Sequence, residues 1–116
     1  MLKSADELIR EAQQHIECVD VQTAKKIYDE SPDAVIVDVR EKHKAEVSKL
    51  TDSINISRGI LEYDVHKECP DANTVIITHC GGGGRASLAA HSLKQLGYHR
   101  VYAITAPFDE IKKVFG

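Results

Sequence analysis

Cys80 is followed by four glycines and an arginine, in the stretch THCGGGGRAS over residues 78–87. A cysteine attacks as its thiolate, and the thiolate is favoured by inward-pointing N–H donors, a helix N-terminus or a nearby cation. All three are available here. Without Cβ atoms, Gly81, Gly82, Gly83 and Gly84 are free to take positive φ, so successive amides can turn inward as a nest that holds an anion. Arg85, at the far lip of that cup, can close it with its planar guanidinium fork. The stretch predicts a nucleophile, Cys80, whose anionic adducts are held by backbone amides and Arg85. A plain strand-to-helix turn does not need four consecutive glycines.

Such a loop needs a strand before it and a helix after it, and both patterns are present. The β-branched run TVIITHC (74–80) reads as a strand buried on both faces. Ala86, Ala89, Ala90, Leu93 and Leu96 then form one face of a helix stopped by Gly97. In an open parallel sheet, ligands bind beyond the carboxyl ends of strands, where Cys80 falls. The same alternation runs through the chain. Ser4 and Glu7 make a capping box for a first helix of about 13 residues with its face on Ala5, Leu8, Ile9, Ala12 and Ile16. Asp20 caps a second helix that presents Val21, Ala24, Ile27 and Tyr28 and stops at Ser31-Pro32. AVIVDV (34–39) is a further buried strand, EKHKAEVSKL (41–50) a weaker helix, SINI (53–56) a short strand and RGILEYDVHKEC (58–69) a short helix. RVYAIT (100–105) is another strand, and Pro107 starts the last helix, with Asp109 and Glu110 early and Lys112 and Lys113 late. Strands alternating with helices predict an α/β fold with a central, mainly parallel sheet flanked by helices.

Composition narrows the function classes. A chain of 116 residues is expected to form one domain, 1–116, with an N-terminal helix in 1–17 and the core in 18–115. Hydrophobic residues are 42%, charged residues 28% and aromatics only 5%, so the core is aliphatic. A net charge of -3 without a dense Lys/Arg patch argues against nucleic acid and anionic membranes as partners. The N-terminus is an amphipathic pattern without the apolar centre of a signal peptide, so a cytoplasmic protein is expected. Cys18, Cys69 and Cys80 are an odd set without C-x-x-C spacing, and the six histidines lack ligand spacing. Neither a disulfide framework nor a metal site is expected. Cys18 and Cys69 are expected to be inert thiols. His79, adjacent to Cys80 in a strand, points to the opposite face and is a poor candidate for a general base.

C-x-x-G-x-R followed by a small residue and an Ala/Leu-rich helix resembles the active-site loop of the rhodanese, or thiosulfate sulfurtransferase, family, with Cys80, Gly83, Arg85 and Ala86 at the matching positions. Upstream, VIVDVREKHKAEVSKLTDSINISRG is similar to the second family signature, D-V-R-E followed by A-I-N-I-P-R-G. Asp38, Val39, Arg40, Glu41, Ile54, Asn55, Ile56, Arg58 and Gly59 match it. The chain departs from the family at Ala45 and Ser48–Ser53, where an aromatic and G-H-I-P-G-A are common, and at Ala106, Pro107 and Ile111, where a glycine pair and a tryptophan are usual. These departures are expected on the pocket walls. The resemblance covers roughly residues 18–115 and implies a single-domain rhodanese.

The activity it implies is sulfur transfer by double displacement through a Cys80 persulfide, from a small donor such as thiosulfate to a thiol or protein-thiol acceptor, with no cofactor. Thiosulfate is expected to be a usable but poor donor, because the glycine loop carries no cationic side chain. Asp38 and Arg40 are expected to orient loops near the site through buried hydrogen bonds. Arg58, at a strand end, either faces the pocket mouth or is a solvated surface arginine. Two alternatives stand beside this reading. The phosphatase and arsenate-reductase signature H-C-x-x-G-x-x-R has five residues between Cys and Arg, whereas this chain has four. A catalytically silent binding or sensing module would keep the fold without turnover.

Overall fold

In the computed structural model, which describes residues 1–116, the alternating pattern folds as α1 (Ala5–Gln13), β1 (Glu17–Val19), α2 (Val21–Glu30), β2 (Val35–Asp38), α3 (Lys42–Val47), β3 (Ser53–Asn55), a 3-10 turn (Arg58–Ile60), α4 (Leu61–Glu68), β4 (Val75–His79), α5 (Gly84–Leu96), β5 (Arg100–Ile104) and α6 (Phe108–Phe115). The five strands form one sheet in the order β1-β5-β4-β2-β3, and every pairing is parallel. After β2 the chain moves outward to β3. After β4 it moves the other way to β5. The crevice beyond the carboxyl ends of β2 and β4 is therefore the switch point at which open parallel sheets bind ligands.

Alternation along the buried strands divides the core in two. Val37, Ile76, Cys80, Val101 and Ala103 pack with Leu61 and Val65 of α4 and Ala86, Ala89, Ala90 and Leu93 of α5. Ile36, Ile77 and Ile104 pack on the other face with Val21 and Ala24 of α2, Leu50 and Ile111 of α6. The small residues of α5 let that helix lie close to β4, so its first turn meets the end of the strand.

The expected caps are present. Ser4 and Glu7 form the capping box, Asp20 accepts the amide of Thr23 at 2.8 Å, and Gly97 ends α5 at φ +115 with its amide on the carbonyls of Leu93 and Lys94. Three expectations are corrected. The first helix has 9 residues rather than about 13, because the chain turns after Gln13 to enter β1. Leu8 and Leu96 are both 49% exposed, since α1 and α5 each seat a narrower stripe than their sequence offers. Pro107 is the N-cap of α6, in extended conformation, and not its first helical residue.

Candidate active site

β4 ends at His79, and Cys80 stands at its carboxyl end, 3% exposed. Its Sγ accepts the amide of Gly83 at 3.0 Å and that of Ala86, in the first turn of α5, at 3.3 Å. Both are among the donors that α5 leaves unsatisfied at its start. The amides of Gly81, Gly82, Gly84 and Arg85 donate to no protein acceptor. The cup of amides therefore exists, but it is built with one left-handed residue rather than four. Only Gly83 has positive φ, +96, while Gly81, Gly82 and Gly84 do not. Gly83 is also the closest approach in the loop, because a Cβ there would lie 2.7 Å from Thr105 Cα. From the other side, the amide of Phe108 anchors the Gly81 carbonyl at 3.1 Å.

This unequal strain separates Gly83 from Gly81 and Gly82 by mutation. Gly83→Ala combines a forbidden φ with contact against backbone that cannot yield, and is expected to lose about 2–3 kcal/mol of stability. At Gly81 and Gly82 a Cβ would meet nothing within 4 Å, so alanine there is expected to stay within about 0.5 kcal/mol. Urea unfolding of the three variants checks the ordering.

A cavity of about 390 Å3 opens in front of the loop. Arg85 is exposed at its rim and forms no ion pair, so its guanidinium is free to meet an anion. The remaining walls are Ala5 and Ile9 of α1 and Leu88 of α5.

Asp38 and Arg40 form the support under the loop. Both are buried, and the pair is bidentate: Arg40 Nε donates to Asp38 Oδ1 at 3.0 Å and Nη2 to Oδ2 at 2.8 Å, while Nη2 also donates to the carbonyl of Ser48 at 2.7 Å. The guanidinium carbon stacks 3.9 Å over the ring of Phe108, the residue whose amide holds Gly81. Asn55 ties the same corner, donating to the carbonyls of Asp38 and Arg40 at 2.9 Å each. This network reaches the Cys loop through backbone and makes no contact with Sγ.

His79 lies on the opposite face from Cys80, fully buried, stacked on Phe108 at 5.9 Å and 4.0 Å from Asp38 Oδ2, with neither ring nitrogen hydrogen-bonded. Burial lowers the pKa of its imidazole, outweighing the Asp38 carboxylate that would raise it, and Arg40 adds to the lowering. The folded chain therefore holds His79 neutral where the unfolded chain, with an ordinary value near 6.5, takes up a proton. Its contribution to stability is complete above that unfolded value and is lost as pH falls through it toward the lower folded one. The parent is expected to lose melting temperature between pH 7.5 and 5.5 more steeply than His79→Leu. Thermal unfolding across that range measures the difference.

The other candidates lie apart from the sulfur. Arg58 does not line the Cys80 cavity; it pairs with Glu62 at 2.8 Å and faces a neighbouring groove between α1, α4 and α5. Burial works against the charge of Glu62, yet the Ser92 hydroxyl, a backbone amide and Arg58 hold its carboxyl below the usual range. Arg58 is thus committed to a carboxylate. Cys18 pairs with Ala103 and Ala103 with Thr78, which places it two strands away and level with Thr78, so about 12 Å from Cys80 and beyond disulfide reach. Cys69 caps the C-terminal end of α4, where its carbonyl accepts the hydroxyl of Tyr98 beyond the far end of α5. Burial raises both thiols, with Glu68 adding to the effect at Cys69 and Ser87 opposing it at Cys18.

The departures at 45–53 and 106–111 do not wall the cavity. Ala45, Leu50 and Ile111 are buried packing residues, and Ser48 serves Arg40 through its carbonyl. Instead, α1 supplies Ala5 and Ile9, a contribution that spacing within the loop could not reveal. Thr105 and Phe108, which hold the loop from the β5–α6 connection, were equally hidden, because their proximity arises only from the pairing of β4 with β5.

An all-parallel sheet whose central strand ends in an amide-cradled cysteine defines an α/β domain of the cysteine-loop type. The rhodanese-like domain family model matches residues 6–113, and the chain belongs to that family. No curated protein sequence matches it. Among solved structures, the chain is similar to a protein of unknown function from Rhodopseudomonas palustris described as a possible tyrosine phosphatase, at 24% identity over 100% of this chain and 94% of the other, with a TM-score of 0.82. The polysulfide-sulfur transferase homodimer of Wolinella succinogenes matches at 23% identity over 90% and 78%, with a TM-score of 0.74. A human single-domain sulfurtransferase matches at 18% identity over 80% and 92%, with a TM-score of 0.69. At these identities the likeness establishes the fold. No helix of the protein is long and apolar enough to cross a membrane.

Proposed function

We propose that the chain is a sulfurtransferase that takes a sulfane sulfur onto Cys80 as a persulfide and passes it to a thiophilic acceptor. The observation that carries this reading is the pair of amides from Gly83 and Ala86 on Sγ, with four further amides of the same loop left without an acceptor. The Cys80 thiolate attacks the outer sulfur of a donor such as thiosulfate. The donor S–S bond breaks, sulfite leaves with the electron pair, and Cys80 carries a terminal sulfur with one negative charge. On this reading the unpaired loop amides and Arg85, which line the same cavity as Cys80, hold that charge, as preorganised donors do where charge develops. A thiolate acceptor, on a small molecule or a protein, then attacks the terminal sulfur and returns Cys80 to its thiolate. No step needs a cofactor, and the expected compartment is the cytoplasm.

A phosphatase reading is favoured by one observation, the description of the R. palustris structure as a possible tyrosine phosphatase. The loop argues against it. Four residues separate Cys80 from Arg85, one fewer than the phosphatase signature, and no Asp or Glu that could serve as general acid lines the cavity.

The deciding experiment is intact mass after incubation with thiosulfate at high concentration or with a polysulfide, before and after a reductant. One added, reducible sulfur that is absent from Cys80→Ser is expected. An unloaded protein would leave the binding or sensing module. Protection of Cys80 from alkylation by phosphate or vanadate, with no sulfur loading, would favour the phosphatase.

A further inference from the structure

The cavity before Cys80 is mismatched to a small dianion. Its single free cation, Arg85, stands at the rim, and the glycine loop adds no charged side chain. The wall facing the loop is hydrocarbon: Ala5 and Ile9 from α1 and Leu88 from α5. Ile9 leans on the loop itself, its Cδ1 lying 2.8 Å from where a Gly84 side chain would begin. At about 390 Å3 the space admits a body far larger than an inorganic sulfur oxyanion. A doubly charged ion would surrender hydration against this wall with one counter-charge to replace it. An organic group would cover Ile9 and Leu88 while a single negative charge met Arg85 and the amides.

We propose that the preferred donor is a sulfane sulfur carried on an apolar organic body with one negative charge, of the thiosulfonate or organic persulfide class, and that Ile9 and Leu88 determine this specificity. The proposal rests on the sulfur-transfer reading above. With a thiosulfonate, the Cys80 thiolate bonds to the outer sulfur, the bond between outer and sulfonyl sulfur breaks, and the sulfinate leaves with the electron pair. The charge entering with thiolate and donor equals the charge on persulfide and sulfinate.

The test compares thiosulfate, methanethiosulfonate and benzenethiosulfonate as donors in the full chain, each loading rate divided by that donor's rate with a free small thiol. This division removes differences in intrinsic leaving ability. Benzenethiosulfonate is expected to exceed methanethiosulfonate by about tenfold or more in the parent, as apolar pockets discriminate added hydrocarbon. Thiosulfate should rank last. In Ile9→Ala and in Leu88→Ala the benzene-to-methane ratio should fall to about threefold or less. Because the ratio is taken within one variant, a partly unfolded population cancels. Benzenesulfinate should likewise protect Cys80 from alkylation at lower concentration than methanesulfinate, a readout independent of turnover. A flat normalised donor profile with loading intact, or a ratio unchanged in both variants, overturns the proposal alone. Loading by no donor overturns the sulfur-transfer reading and the proposal with it.

Discussion

Cys80→Ser is expected to abolish sulfur loading and transfer, by at least about 10³-fold, while leaving the melting temperature almost unchanged. The hydroxyl fits the space of the thiol and can still accept the amides of Gly83 and Ala86, so the loop keeps its geometry. What it lacks is an ionised state near neutral pH and any base to create one. His79, the neighbouring imidazole, is on the other face of the sheet against Phe108 and Asp38. Cys18→Ser should retain full transfer, since Cys18 lies on an edge strand two positions across the sheet. Cys69→Ser should transfer normally per folded molecule but lose about 1–2 kcal/mol, because it places a hydroxyl in an apolar cluster. Intact mass after donor treatment, with circular dichroism on the same samples, reads all three. Turnover by Cys80→Ser, or a folded but dead Cys18→Ser, would transfer the nucleophile to another residue.

Removing the carboxylate beneath the site should produce the largest loss of stability. Asp38 is fully buried and meets Arg40 through a bidentate pair, so Asp38→Ala strands a guanidinium that is only 7% exposed. The expected loss is about 3–5 kcal/mol, because the cation keeps its desolvation and loses its counter-charge. The double variant Asp38→Leu/Arg40→Met, which removes both charges and keeps apolar volume, should recover a large part of it. Denaturant unfolding of the single and double variants forms the test. If Asp38→Ala and the double variant were equally unstable, the loss would come from packing or from the backbone bonds at the end of β2 rather than from an orphaned charge. Sulfur loading should suffer in Asp38→Ala beyond what unfolding explains, because Arg40 stacks on Phe108 and Phe108 holds Gly81.

The parts of this protein that local chemistry dictates were legible in the chain. Ser4 and Glu7 make a capping box wherever a helix begins on them, and Gly97 offers the left-handed stop that α5 uses. The β-branched runs at 35–38 and 75–79 can satisfy both apolar faces only inside a parallel sheet, which is where they lie. Cys80 stood out as the candidate nucleophile because a cysteine between a buried strand and a run of glycines has few purely structural explanations.

Other features needed the fold. β1 has no apolar run of its own, its three residues being held by pairing with β5, so the chain there read as the end of a helix. Nothing in GGGG distinguishes its members, and the fold sets Gly83 apart by giving it a φ of +96 and setting the Thr105 backbone where its Cβ would lie. The wall of the cavity was hidden for the same reason. Ile9 lies 71 positions before Cys80 in sequence and comes to it only because α1 packs along α5, a contact set by burial and not by spacing. The sequence alone marked Cys80 as the candidate nucleophile and the loop backbone that cradles it, since both readings depend on residues adjacent in the chain. Which glycine is strained, which arginine is free and what lies opposite the sulfur were decided by tertiary packing, because those properties depend on which distant groups share a surface once the core has closed.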